Sequence, residues 1–251
     1  MFERVTTSRR SIQRGLADQS YSAIKEQILR GDLRLGAVLS RRKLAKQFGT
    51  SVFPVSEAIL RLESEGLVES KPQVGTRVRV PSETDIRDRF IIREALECQS
   101  ARLVAERASF EQRQELNRMA ENLDVLFNRQ GNDDSDAEFV FAVQSYHLQL
   151  HMKIAEYSGC AALSDLIDKN NLLVLNCILD LAREIQRPPR LHRDLLGMVT
   201  GGNADAAVTA MRQHVQMGLD ETIRAVALLN SRTDDRWRIR ASAKNLRTGK
   251  R

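Results

Sequence analysis

The chain of 251 residues holds four histidines, and all of them fall between His147 and His214. His147 and His151 stand one helical turn apart, so both point to the same side of a helix. They share that side with Val140, Val143, Ile154 and Ala155, which turns it toward a core. His192 shares a face with Leu195, Leu196 and Val199. His214 lies at the edge of a face formed by Val208, Met211, Val215 and Leu219. One inward imidazole is an ordinary core residue. Four in one helical region each demand a buried hydrogen-bond partner. A single metal ion answers that demand for all of them, and His-x3-His on a helix is a ready two-ligand clip. Spacing alone does not bring His192 and His214 to that clip.

The elements that must carry these side chains read as helices. Leu, Ala, Arg, Glu and Gln dominate, and aromatic residues make up only 5%. Ser82 caps a helix running to about Ala108, with Ile86, Phe90, Ile91, Leu96, Ala101, Leu103 and Val104 as its apolar face. Further helical periods cover about 110–129, 135–157, 160–186, 188–200 and 203–230. Six helices with short connections predict an antiparallel bundle over 83–230. It contains no GxGxxG or P-loop, so it offers no machinery for nucleotide hydrolysis.

A different module precedes the bundle. Tyr21, Ile24 and Ile28 set a helix over 19–30, ended by Gly31. Ser40 caps a second helix burying Leu44, Ala45 and Phe48. Gly49-Thr50 is a tight turn, Ser51 caps a third helix, and Pro54 falls in its first turn. Two short β runs around Lys71-Pro72-Gln73-Val74-Gly75 form a hairpin. The expected fold is thus mainly α: a winged helix-turn-helix over 18–80, then the helical bundle.

Charge separates the two modules. Residues 1–80 carry 15 Lys/Arg against 8 Asp/Glu, residues 81–230 carry 16 against 23, and residues 231–251 carry 8 against 2. A basic arm (1–17), a basic winged helix and a basic tail (231–251, read as disordered) surround an acidic bundle. A basic balance in a small helix-turn-helix module is the footprint of duplex DNA. Its third helix fits the major groove, and Arg77 and Arg79 of the wing can meet phosphate or the minor groove. Clean apolar runs such as Leu172 to Leu175 are far too short for a membrane span, and the N-terminus has no secretory apolar core. Three scattered cysteines suit a reducing cytoplasm.

Residues 19–80 resemble the GntR family of bacterial transcription regulators. The resemblance rests on Ile28-Leu29-Arg30-Gly31-Asp32-Leu33, Leu44-Ala45, Phe48-Gly49, Pro54-Val55, Glu57-Ala58 and Leu62-Glu63-Ser64-Glu65-Gly66-Leu67-Val68. It implies DNA contacts at Arg42, Ser51 and Gly75. Where the family has Arg-Thr opening the third helix, Val52-Phe53 stand here, and Ser56 replaces a further Arg. Arginines there read guanine bidentately. Their loss predicts an operator unlike the usual half-site, with Val52 and Phe53 able to pack on thymine methyls.

Residues 83–226 are similar to the FadR-type (FCD) ligand-binding domain of that family. The matching stretches are Arg93-Glu94-Ala95-Leu96-Glu97, His151 to Gly159, Leu191-His192-Arg193 and Gly202 to Ala207 leading to Met211-Arg212-Gln213-His214. In metal-binding members an Asp and a His on one helix join two later His, which implies ligands at His147, His151, His192 and His214, with His147 in the Asp position. Imidazole in place of carboxylate favours zinc, nickel or copper, with zinc or nickel the expected metal. Four neutral imidazoles also leave the cation's charge uncompensated, so the expected effector is a small carboxylate, with Arg93 and Asn176 as candidate contacts.

The resulting expectation is a bacterial, cytoplasmic, nucleoid-associated repressor that binds an operator as a homodimer and answers to an organic acid. A helical-bundle metalloenzyme fused to a winged helix is the competing class. Glu-x-x-His pairs, the ligand pattern of helical di-iron enzymes, do not occur, and no general base for a mononuclear hydrolase is evident in the sequence. A DNA binder without an effector leaves the histidines unexplained.

Overall fold

The computed structural model describes residues 2–132, 137–179 and 188–232. Two compact units emerge, one ending at Val80 and one spanning Pro81–Leu228.

In the first unit, α1 (Phe2–Leu29) packs on α3 (Val52–Ser64), which also holds α2 (Arg41–Gln47). Ile24, Ile28, Val55, Ala58, Ile59 and Leu62 are fully buried between them. At ~25 cal/mol per Å² of apolar surface, such side chains supply most of the stability of a small module. Helix α1 starts much earlier than position 19, so the residues read as an arm continue the helix. No proline interrupts that stretch, and Gly15 costs only about 1 kcal/mol. Three antiparallel strands, β1 (Val38–Leu39), β2 (Val68–Lys71) and β3 (Gly75–Val78), lie in the order β1-β3-β2. The wing pairs Val68 with Val78 and Lys71 with Gly75, and Val38 pairs with Arg77. Strand β1 escaped the sequence reading because two residues are too few to show an alternation.

The second unit is entirely helical among the described residues: α4 (Glu83–Arg107), α5 (Phe110–Asn132), α6 (Ala137–Tyr157), α7 (Ala161–Leu179), α8 (Leu191–Val199) and α9 (Ala204–Arg232). The fold is therefore mainly α, a winged helix-turn-helix plus an all-α bundle. Ser82 starts α4 with a capping box, its Oγ accepting from Asp85 N–H while the Asp85 carboxylate accepts from Ser82 N–H. Ile91 was expected on the buried face of α4 but is 67% exposed. Arg93 and Glu97 turn inward instead, in line with Phe90, Ala101 and Val104. No helix among the described residues is long and apolar enough to cross a membrane.

Candidate functional site

Helix α6 presents His147 and His151, α8 presents His192 near its start, and α9 presents His214. The bundle brings all four together. Nε2 of His147 lies 3.0 Å from Nε2 of His151 and 3.3 Å from that of His192, and Nε2 of His214 lies 3.2 Å from that of His151. His147, His151 and His214 form a compact ligand triad, which His192 joins through His147. Phe127 stacks on the His192 ring at 5.3 Å between centroids.

Two buried carboxylates stand behind this cluster, and the sequence reading missed both. Asp124 of α5 lies 2.8 Å from His192 Nδ1 and accepts the backbone N–H groups of His192 (3.0 Å) and Arg193 (2.9 Å). It thus caps the first turn of α8, whose own N-cap residue Arg190 offers no side-chain bond, and orients the imidazole at the same time. Glu97 of α4 lies 2.8 Å from His151 Nδ1 and 2.6 Å from Arg93 Nε. Burial pushes the Glu97 carboxyl up, but the Arg93 guanidinium and His151 overcome it and hold the group at about 2. Burial likewise raises Asp124, and the hydrogen bonds from His192 and the α8 backbone bring it below the ordinary carboxylate value. Both are ionised at neutral pH.

The Asp124 carboxylate is hydrogen-bonded to His192 Nδ1, which places that imidazole's proton on Nδ1 and leaves its Nε2 to the cluster, and the Glu97 carboxylate stands 2.8 Å from His151 Nδ1 while His151 Nε2 faces the cluster. His151 Nε2 faces His147 Nε2, His214 Nε2 and, at 3.4 Å, Arg93 Nη2. One lone pair cannot accept from three groups. A cation satisfies the imidazole nitrogens together, leaving the Arg93 guanidinium to Glu97: ligands about 2.1 Å from one ion sit about 3.0 Å apart at a right angle and about 3.4 Å apart at the tetrahedral angle. The three spacings of 3.0, 3.2 and 3.3 Å fall on that range, and His147, His151 and His214 together fit a divalent transition metal.

Arg93 reaches this centre, but as the buried partner of Glu97. Asn176 lies in α7, and its side chain is outside the described residues, as is the basic tail. The signal for the two carboxylates was legible in principle. Asp124 continues the stripe Leu116, Ala120, Leu123, and Glu97 stands between Phe90 and Ala101 on the inward face of α4. A charge on an apolar stripe is paired, coordinating or functional.

In the first unit, the expected DNA-facing residues lie on α2, in the first turns of α3 and on β3 of the wing. Ser51, Val52 and Phe53 are exposed, and Ser56 is half-buried with its Oγ donating to Val52 O at 2.9 Å. Ser51 occupies the N-cap position but makes no capping bond, whereas Ser40 does cap α2, next to exposed Arg42. Gly75 opens β3 at φ +124°, where a side chain would strain the backbone. Arg77 is ion-paired with Glu69 on the neighbouring strand.

A winged helix followed by a helical bundle with an inward ligand centre defines a regulator that binds DNA with one module and an effector with the other. The chain matches the model for bacterial regulatory proteins of the gntR family over residues 16–78 and the model for the FCD domain over residues 88–217. It belongs to the GntR family, in the branch that carries an FCD domain, and is a transcriptional regulator. It is 28% identical over 217 residues to the HTH-type transcriptional repressor RspR of Escherichia coli, covering 85% of this chain and 91% of that one. It is 30% identical over 211 residues to an HTH-type regulator in an unstable DNA locus of Streptomyces ambofaciens, covering 82% and 85%. A GntR regulator from Rhodococcus sp. RHA1 shares the fold, with a TM-score of 0.67 at 19% identity over 83% of this chain and 98% of that one.

Proposed function

We propose that the chain is a homodimeric repressor whose operator binding is set by a small carboxylate held at a metal centre of His147, His151, His192 and His214. The convergence of the four imidazoles, with Glu97 and Asp124 each 2.8 Å from the Nδ1 of one of them, carries this reading. The metal, zinc or nickel by its all-imidazole ligand set, supplies a Lewis-acidic point that an anionic effector can complete.

The buried carboxylates refine the charge argument. The sequence alone leaves a divalent cation uncompensated among neutral imidazoles. Glu97 and Asp124 cancel two charges and Arg93 adds one, so a loaded centre keeps a single positive charge. That balance suits one carboxylate group, with the Arg93 guanidinium as its second contact. Asn176 is a further candidate contact on α7.

Repression is supported by RspR, itself named a repressor. Dimerisation gives two weak winged helices the gain of linked binding to two half-sites. Arg42, Ser51, Val52, Phe53, Ser56, Gly75 and Arg77 form the proposed DNA-contact set, and the cytoplasm is the compartment where such an operator stands. The effector acts by preferring one arrangement of the two DNA heads. The metalloenzyme alternative shares the histidines but gains no support from the two matched domains.

The test is calorimetry of zinc- or nickel-loaded protein with small monocarboxylates and their neutral amides. Binding of the acids alone, abolished by Arg93→Met, supports the reading; equal binding of the amides contradicts it.

A further inference from the structure

The outer face of α3 has an unusual chemistry for a helix that reads DNA. Its sequence, Val52–Ser64, contains one cation, Arg61, in the last turn. Arg61 is engaged elsewhere: its guanidinium lies 2.6 Å from Asp18 and 4.1 Å over the Tyr21 ring, both on α1. The first two turns hold no group that can donate a bidentate pair to guanine O6 and N7. They present apolar surface instead. Val52 is 42% exposed, Phe53 55% and Leu60 62%. Val52, Ser56 and Leu60 follow one another at four-residue spacing, and Phe53 flanks them, so they form one stripe. The Ser56 hydroxyl proton is spent on the backbone of Val52.

Exposed apolar side chains gathered on one face mark a contact surface. The charge around the stripe says what covers it. Arg42, Lys43 and Lys46 of α2 are exposed on the same small unit, which carries an excess of cations. A polyanion fits that surface, and within duplex DNA the apolar feature of the major groove is the thymine C5 methyl.

We infer that Val52 and Phe53 select the operator by packing on thymine methyls, with Leu60 extending the apolar face, while the cations of α2 supply sequence-independent phosphate contacts. The inference rests on the winged helix binding duplex DNA. Its half-site has thymine at the positions under the start of α3.

The experiment selects binding sites from a random duplex pool with the full chain, then replaces each selected thymine by uracil, which removes only the methyl. Uracil at the contacted positions weakens binding about fourfold per methyl, the factor corresponding to one buried CH₂. Phe53→Ala makes the protein indifferent to uracil at one or more of those positions, while its Tm stays unchanged. Sequence-specific binding that is insensitive to uracil, or selected half-sites read through guanine, overturns the inference and leaves DNA binding intact. Selection that yields no preferred site overturns both.

Discussion

Glu97 and Asp124 decide what the histidine cluster can hold. Each stands 2.8 Å from the Nδ1 of an imidazole whose Nε2 faces the cluster, the placement a metal-ligating histidine uses. Glu97→Gln keeps the shape but weakens the demand for the Nδ1 proton on His151. Zinc affinity is expected to fall 10- to 100-fold, measured by competition with a chromophoric chelator. Asp124→Asn is expected to do the same through His192. Glu97→Ala differs, because it leaves Arg93 buried without its partner. A loss of about 3–5 kcal/mol in denaturant unfolding is expected, with no metal present. The histidines were legible because the i, i+4 pair and the apolar faces of their helices all point inward. Their partners were legible only as charges on apolar stripes and not as partners, because Arg93 and Glu97 at i, i+4 read equally well as an exposed pair, and nothing local ties Asp124 to a residue 68 positions away.

Element boundaries followed local chemistry where that chemistry is strong. The Ser40 and Ser82 caps, the Pro54 in the first turn of α3 and the Gly-containing wing turn all sit where their backbone preferences put them. Ser82→Ala removes the capping box of α4 and is expected to cost about 1 kcal/mol, read by thermal unfolding. Errors arose where tertiary contacts override local signals. Ile91 satisfies the helical period yet faces outward, since α4 turns Arg93 and Glu97 to the core. Ser51 stands at a cap position without capping. Leu62 of α3 is fully buried, and Leu62→Ala is expected to cost 2–5 kcal/mol, enough to unfold a module of this size.

At the scale of the whole molecule, charge and ligand divide the work. The basic N-terminal module and the acidic bundle were separable by composition alone, because each function imposes its own balance. Affinity for an operator is expected to fall steeply as salt rises, since phosphate contacts release counterions. Metal binding stabilises the folded state by mass action, about 2.7 kcal/mol at a free concentration 100 times the dissociation constant. The most direct measurement is elemental analysis of untagged protein purified without chelator, alongside the His151→Ala variant. The account expects about one zinc or nickel per chain in the parent protein and a marked loss in the variant. No transition metal in the parent protein, even after incubation with zinc or nickel, would contradict it.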